Sequence, residues 1–115
     1  MLDPIKMKNY EAEVENLMGL DHPNIIKLYN AYQGKRKFVM IMEYVGKNCL
    51  YDILEESKTK TMTEDFAQIV FYQILSGIKY THDNGIVHRD LKLQNIIIGD
   101  NNEVKVRNLL IKSIR

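Results

Sequence analysis

Apolar residues recur along the chain at two different spacings, and the change from one to the other marks its elements. Between residues 8 and 20, Val14, Leu17, Met18 and Leu20 fall on one side while Glu11, Glu13 and Glu15 lie elsewhere, which predicts an amphipathic helix. His22-Pro23-Asn24 ends it, because proline disfavours helix in the residue before it. Residues 25–32, with Ile25, Ile26, Leu28 and Tyr29, and residues 38–45, with Phe38 to Met42, Tyr44 and Val45, read as strands. The polar turn Gln33-Gly34-Lys35-Arg36-Lys37 lies between them, so the pair reads as a β-hairpin with a solvated basic tip.

Gly46-Lys47-Asn48 breaks the second strand, and a short helix is expected from Cys49 to about Glu56. Thr61-Met62-Thr63-Glu64 has the form of a capping box. The run after it is the strongest helix signal, with Phe66, Val70, Ile74 and Ile78 recurring every fourth residue and Ile69 and Leu75 beside them. Asp83-Asn84-Gly85 should end this helix, the glycine taking the left-handed cap. Ile96-Ile97-Ile98, a turn over residues 99–102 and Val104-Lys105-Val106 predict a second small hairpin. Strands and helices segregate along the chain, so the predicted class is α+β.

Composition narrows the picture. The 115 residues suffice for one small domain, and 45% hydrophobic with 27% charged residues is ordinary globular usage. Sixteen basic residues against fifteen acidic ones leave a formal charge of +1, which points to neither nucleic acid nor an anionic membrane as the partner. Cys49 is the single cysteine, so an internal disulfide and a cysteine-rich zinc site are excluded. Residues 1–10 have no apolar run of signal-peptide type, and no stretch approaches the roughly 18 apolar residues of a membrane helix. The expected location is soluble and intracellular, in the cytoplasm.

The candidate chemistry sits before the second hairpin. His88-Arg89-Asp90-Leu91-Lys92-Leu93-Gln94-Asn95 places a carboxylate, a lysine and an amide on one short loop. Asp90 can accept the proton of an attacking hydroxyl, and Lys92 can neutralise charge on a transferred phosphoryl group. Asn95 offers an amide oxygen to a hard cation such as Mg²⁺. Arg89 is suited to pairing with an acidic or phosphorylated group. Taken singly, each residue also has a bland reading, as a turn, a solvated side chain or a packed histidine. The joint pattern is what carries the signal.

All specified positions of that loop match the protein-kinase catalytic loop. From about Glu11 to Val106 the chain resembles the eukaryotic protein kinase family, serine/threonine type, Lys92 being the position that separates it from tyrosine kinases. The wording Asp-Leu-Lys-Leu-Gln-Asn is similar to the calcium/calmodulin-dependent and AMP-activated kinase group. The resemblance implies Asp90 as catalytic base, Lys92 as phosphate contact and Asn95 as magnesium ligand. It implies Glu13 as the C-helix glutamate and Met42 as gatekeeper. Glu43 and Val45 would bond adenine through their main chain, Gly46 to Cys49 would edge the pocket, and Ile97 would lie beneath the base. Leu17, Leu28 and His88 would form an apolar column between lobes. The implied cofactors are ATP and Mg²⁺, and the implied partner is a protein substrate. Bland readings stay open here too: Met40 and Met42 as strand core, and Glu13 as one of three solvated glutamates.

The chain departs from the family in three places. No G-x-G-x-x-G precedes Glu13, and Lys6 and Lys8 lie too close to it to serve as the ATP lysine. Arg107-Asn108-Leu109-Leu110 stands where Asp-Phe-Gly is expected, so Asn108 would put a neutral amide in the place of a metal carboxylate. This tail is either that of a genuine inactive variant or a departure of the reading frame at about Arg107. The expectation is an incomplete kinase domain. Residues 1–45 would belong to the upper lobe and residues 46–115 to the lower one, with negligible phosphoryl transfer by this polypeptide alone. The alternative is a pseudokinase fragment that docks on a partner protein.

Overall fold

The computed structural model describes residues 11–12, 14–59, 61–86 and 91–107. Glu13, Asp90 and Asn108, with His88 and Arg89, lie outside the described residues. Residues 14–18 are helical and form α1. Then come β1 (Leu28–Gln33), β2 (Phe38–Met42), α2 (Leu50–Glu56) and α3 (Glu64–Asp83). A 3₁₀ turn at Leu93–Asn95 leads into β3 (Ile96–Ile98), and β4 (Val104–Val106) follows.

Both predicted hairpins form. β1 and β2 pair antiparallel, with Ala31 opposite Met40 and Tyr32 opposite Val39. Gly34 N–H closes the turn on the Lys37 carbonyl at 2.7 Å. β3 and β4 pair antiparallel, with Ile96 opposite Val106, Ile97 opposite Lys105 and Ile98 opposite Val104. Asn101 and Asn102 turn that hairpin at φ of 56° and 59°, in a left-handed region that asparagine visits more readily than most side chains.

The first two strands are shorter than the apolar runs predict. Ile25 and Ile26 do not belong to β1. Ile25 bridges to Val106, and Ile26 N–H donates to the Val106 carbonyl at 3.0 Å. The chain therefore borders β4 before it turns up to meet β2. At the other end β2 stops at Met42, because the chain leaves β1 for the lower hairpin. Ile98 N–H donates to the Asn48 carbonyl at 3.0 Å, and Cys49 bridges to Ile97.

The start of α3 also differs from expectation. Thr63, not Thr61, is the cap, and its hydroxyl accepts the Phe66 N–H at 3.2 Å. Glu64 and Asp65 thus fall in the first turn, where the helix dipole favours acidic groups. Thr61 instead shares a 2.7 Å hydrogen bond with Thr59. Gly85 follows the helix at φ 77°, as its sequence predicts.

Two apolar clusters result. The larger joins Leu20, Ile25, Leu50, Val70, Ile74, Ile96, Ile98, Val104 and Val106. Leu20 and Ile25 come from the first 45 residues yet are buried with the second hairpin. The smaller cluster packs Val14 with Met18, Ala31 and Met40 between α1 and the first hairpin. Leu17 touches both. Among the described residues no helix is long and apolar enough to cross a membrane.

Candidate functional site

The second hairpin organises the site. Asn95 closes the 3₁₀ turn just before β3 and is 1% exposed. Its N–H donates to the Lys92 carbonyl at 2.9 Å, and its own carbonyl accepts the Arg107 N–H at 2.8 Å. The Arg107 guanidinium also donates to the Gln94 carbonyl at 3.2 Å. The loop carrying Lys92 and Asn95 is therefore bonded to the chain directly before Asn108. Lys92 is exposed at the start of the turn.

Along β3, side chains alternate between faces. Ile96 and Ile98 enter the larger core, whereas Ile97 belongs to neither cluster and stands on the other face, beside its register partner Lys105. The segment after Met42 passes close to this hairpin. A Cβ on Gly99 would lie 2.8 Å from Val45 Cγ1, and one on Gly46 would lie 3.2 Å from the Ile98 carbonyl oxygen. Both glycines are small because two backbones approach there. Val45 thus turns its side chain onto the hairpin turn. Among the described residues, no hydrogen bond engages the Glu43 carbonyl or the Val45 N–H and carbonyl. These main-chain groups suit a planar heterocycle with an adjacent donor and acceptor. Met42 is half-buried at the end of β2, opposite Leu28.

Glu43 is the most connected residue of this segment. One carboxylate oxygen accepts the Lys27 N–H at 3.1 Å and the other meets Lys105 Nζ at 2.7 Å. Its own N–H donates to the Lys27 carbonyl at 2.8 Å. Partial burial pushes the Glu43 carboxyl up, but the Lys105 ammonium and the Lys27 N–H outweigh it and hold the group below the usual carboxylate value. Burial likewise works against the Lys105 charge. Glu43, with Glu103 at 3.5 Å, outweighs it and holds the ammonium above the ordinary lysine value.

A second polar cluster fixes the His22-Pro23-Asn24 segment. Asn24 Nδ2 donates to Gln73 Oε1 at 3.1 Å and to the Val104 carbonyl at 2.8 Å. Gln73 Oε1 also accepts the Val104 N–H at 2.9 Å, and its Nε2 donates to the Asn102 carbonyl at 2.9 Å. His22 Nδ1 accepts the Asn24 N–H at 3.0 Å, and its ring lies against Tyr80 with centroids 4.9 Å apart. These contacts lock β4 to α3 and so set the height of the whole site.

The structure brings Glu43, Val45, Asn95 and Ile97 to one hairpin, while Met42 pairs with Leu28 at the end of β2. Glu13, Asp90 and Asn108 lie outside the described residues. Among the described residues no three of His, Cys, Asp and Glu gather as a metal site. Asn95 can supply one ligand to Mg²⁺, which commonly keeps waters and phosphate oxygens as its others. Sequence reasoning missed Lys105, Gln73 and Asn24. A lysine between two buried valines reads as the wet face of a strand, and nothing local ties it to Glu43.

Residues 2–109 match the family described as Protein kinase domain. NUAK family SNF1-like kinase 1 of Mus musculus is 41% identical over 104 residues, covering 90% of this chain and 16% of that protein. The Carbon catabolite-derepressing protein kinase of Candida albicans is 38% identical over 104 residues, again 90% of this chain and 16% of that protein. The Dictyostelium discoideum protein named "Probable serine/threonine-protein kinase MARK-A" is 38% identical over 105 residues, 91% of this chain and 10% of that protein. The chain thus spans a sixth or less of the length of these relatives.

Proposed function

The chain belongs to the protein kinase domain family, and from that premise we propose that it carries the hinge and catalytic-loop segment of a serine/threonine kinase. The reaction is transfer of the γ-phosphoryl group of Mg·ATP to a protein hydroxyl. One observation supports this reading above others: main-chain groups at Glu43 and Val45 that make no hydrogen bond among the described residues, and the buried Asn95, are all held by the same β3–β4 hairpin.

The residues take these roles. Glu43 and Val45 bond adenine through the main chain, Met42 closes the rear of the pocket and Ile97 lies under the base. Asp90 orients the attacking hydroxyl and accepts its proton, while Lys92 steadies the transferred group. Glu13 is the glutamate that would pair with an ATP-contacting lysine, a role that neither Lys6 nor Lys8 is placed to fill. Asn95 would hold Mg²⁺, with Asn108 as the second position. Such an ion would supply charge neutralisation as the phosphoryl group is transferred. The upper and lower parts meet at Val45 and Gly46.

Asn108 limits this chemistry. Its neutral amide supplies no charge where a carboxylate would hold the metal, and catalysis of this kind is mostly positioning and charge stabilisation. The chain alone is therefore expected to transfer phosphate negligibly. The same residue favours the second reading, a pseudokinase segment that serves as a protein-binding module in the cell.

A radiolabel transfer assay with a serine/threonine peptide tests both. The expected result is no label above that of Asp90→Ala, with Mg²⁺-dependent ATP binding strengthened by Asn108→Asp. Turnover that vanishes in Asp90→Ala would overturn the inactivity. Absence of ATP binding by the chain and by Asn108→Asp alike would remove the nucleotide site and leave the binding-module reading.

A further inference from the structure

We infer that Lys105 is a positioning residue for the hinge: through Glu43 it fixes the main chain of residues 43–46 in the attitude that receives adenine. The inference rests on the nucleotide reading above, and it concerns a side chain to which that reading gives no role.

Lys105 is 8% exposed, and lysines are seldom buried so far unless paired. It stands directly opposite Ile97 in the hairpin register, on the strand face that the larger core does not use. Its ammonium reaches Glu43 at 2.7 Å, 62 residues away in sequence. Glu43 is the first residue after β2, where the strand ladder has ended. From there on, the ladder no longer holds the chain. Both carboxylate oxygens and the N–H of Glu43 are engaged, by Lys105 and by the main chain of Lys27. Among the described residues its carbonyl makes no hydrogen bond and is left to face a ligand.

Beside Glu43 and Lys105 lies a half-open groove of about 420 Å³, which Asp21, His22, Pro23, Ile25, Lys27 and Tyr29 also line. On that side polar contacts hold Glu43, while Val45 and Gly46 pack against Gly99 and Ile98 of the hairpin. The ion pair therefore couples the hinge to the same hairpin that starts at Asn95, so the adenine end and the metal end share one frame.

Amide hydrogen exchange on the full chain, read residue by residue by NMR, tests this alongside Mg·ATP affinity. In Lys105→Met, which keeps the apolar stem, exchange at the Lys27 and Glu43 amides should rise by about tenfold. The Ile98 and Val106 amides, bonded to the Asn48 and Asn24 carbonyls and not to the ion pair, should not change. Lys105→Arg should restore the slow exchange. Glu43→Gln, which keeps an acceptor for the Lys27 N–H, should shift the Glu43 amide in the same direction and guards against a misfolded Lys105→Met. Where the wild-type chain binds ATP, Kd should rise severalfold in Lys105→Met and return in Lys105→Arg. Unchanged exchange at Lys27 and Glu43 would overturn the inference, as would an equal rise at Ile98 and Val106, which marks a merely structural pair. A wild-type chain that binds no ATP would defeat the nucleotide reading, while the exchange pattern would still decide the clamp.

Discussion

Single polar side chains hold this molecule together at points where its backbones could not meet otherwise. Gln73 is one. Replacing it with alanine removes the acceptor of the Val104 N–H, and Val104 is fully buried. A buried donor left unmade costs about 1–3 kcal/mol, so Gln73→Ala should lower the urea midpoint accordingly at unchanged slope. The Glu43–Lys105 pair makes a prediction in pH. Glu43 titrates below its ordinary value when folded, so its contribution is present above the unfolded carboxylate pKa and lost as pH falls through the folded one. Lys105 titrates above its ordinary value, so its contribution is present below the unfolded lysine pKa and lost as pH rises through the folded one. The stability difference between wild type and Lys105→Met should therefore be largest near neutrality and shrink towards both extremes. Urea midpoints at about pH 3, 7 and 11 check it. Asp90, Lys92 and Asn95 stand out in the sequence because their spacing is a motif. Lys105 and Gln73 do not, because their partners lie far along the chain.

At the scale of elements, two substitutions separate local preference from tertiary contact. Thr63→Ala should cost about 1 kcal/mol through loss of the helix cap, whereas Thr61→Ala should stay within about 0.5 kcal/mol. Thermal melts of the two variants decide which threonine caps α3. Gly77→Ala runs against intrinsic propensity. Alanine in place of glycine gains about 1 kcal/mol in a helix interior. Here its Cβ would sit 2.8 Å from the Asn24 carbonyl oxygen, which the Val106 N–H holds at 2.8 Å. Overpacking against a fixed main chain costs about 1–3 kcal/mol, so the net effect should be a lower melting temperature. The strands and the long helix were legible from period alone. Their ends were not: the ends of β1 and β2 depend on where each backbone changes partner, and residues 25–26 change to β4.

The whole molecule is elongated, with a radius of gyration of 15.5 Å where about 13 Å suits a compact chain of 100 residues. Its two apolar clusters meet at Leu17 rather than merging. Much apolar surface stays open on α3, where Phe71 is 61% and Tyr72 75% exposed, with Leu75 beside them. Contiguous patches of this kind promote association. Phe71 and Leu75 are one turn apart on the same face. The double substitution Phe71→Lys with Leu75→Lys should reduce concentration-dependent association in sedimentation velocity. It should leave the unfolding midpoint within about 0.5 kcal/mol per site, as expected for surface positions.

The sequence by itself determined the α+β class, both hairpins, the long helix and the kinase-type loop, because backbone periods and short motifs are local properties. Tertiary structure alone decided that Glu43 meets Lys105, that Gln73 serves Asn24 and Val104 together, and that Gly77 and Gly99 must stay small. Those facts depend on how two hairpins and a helix pack, and packing brings together residues whose separation along the chain carries no signal.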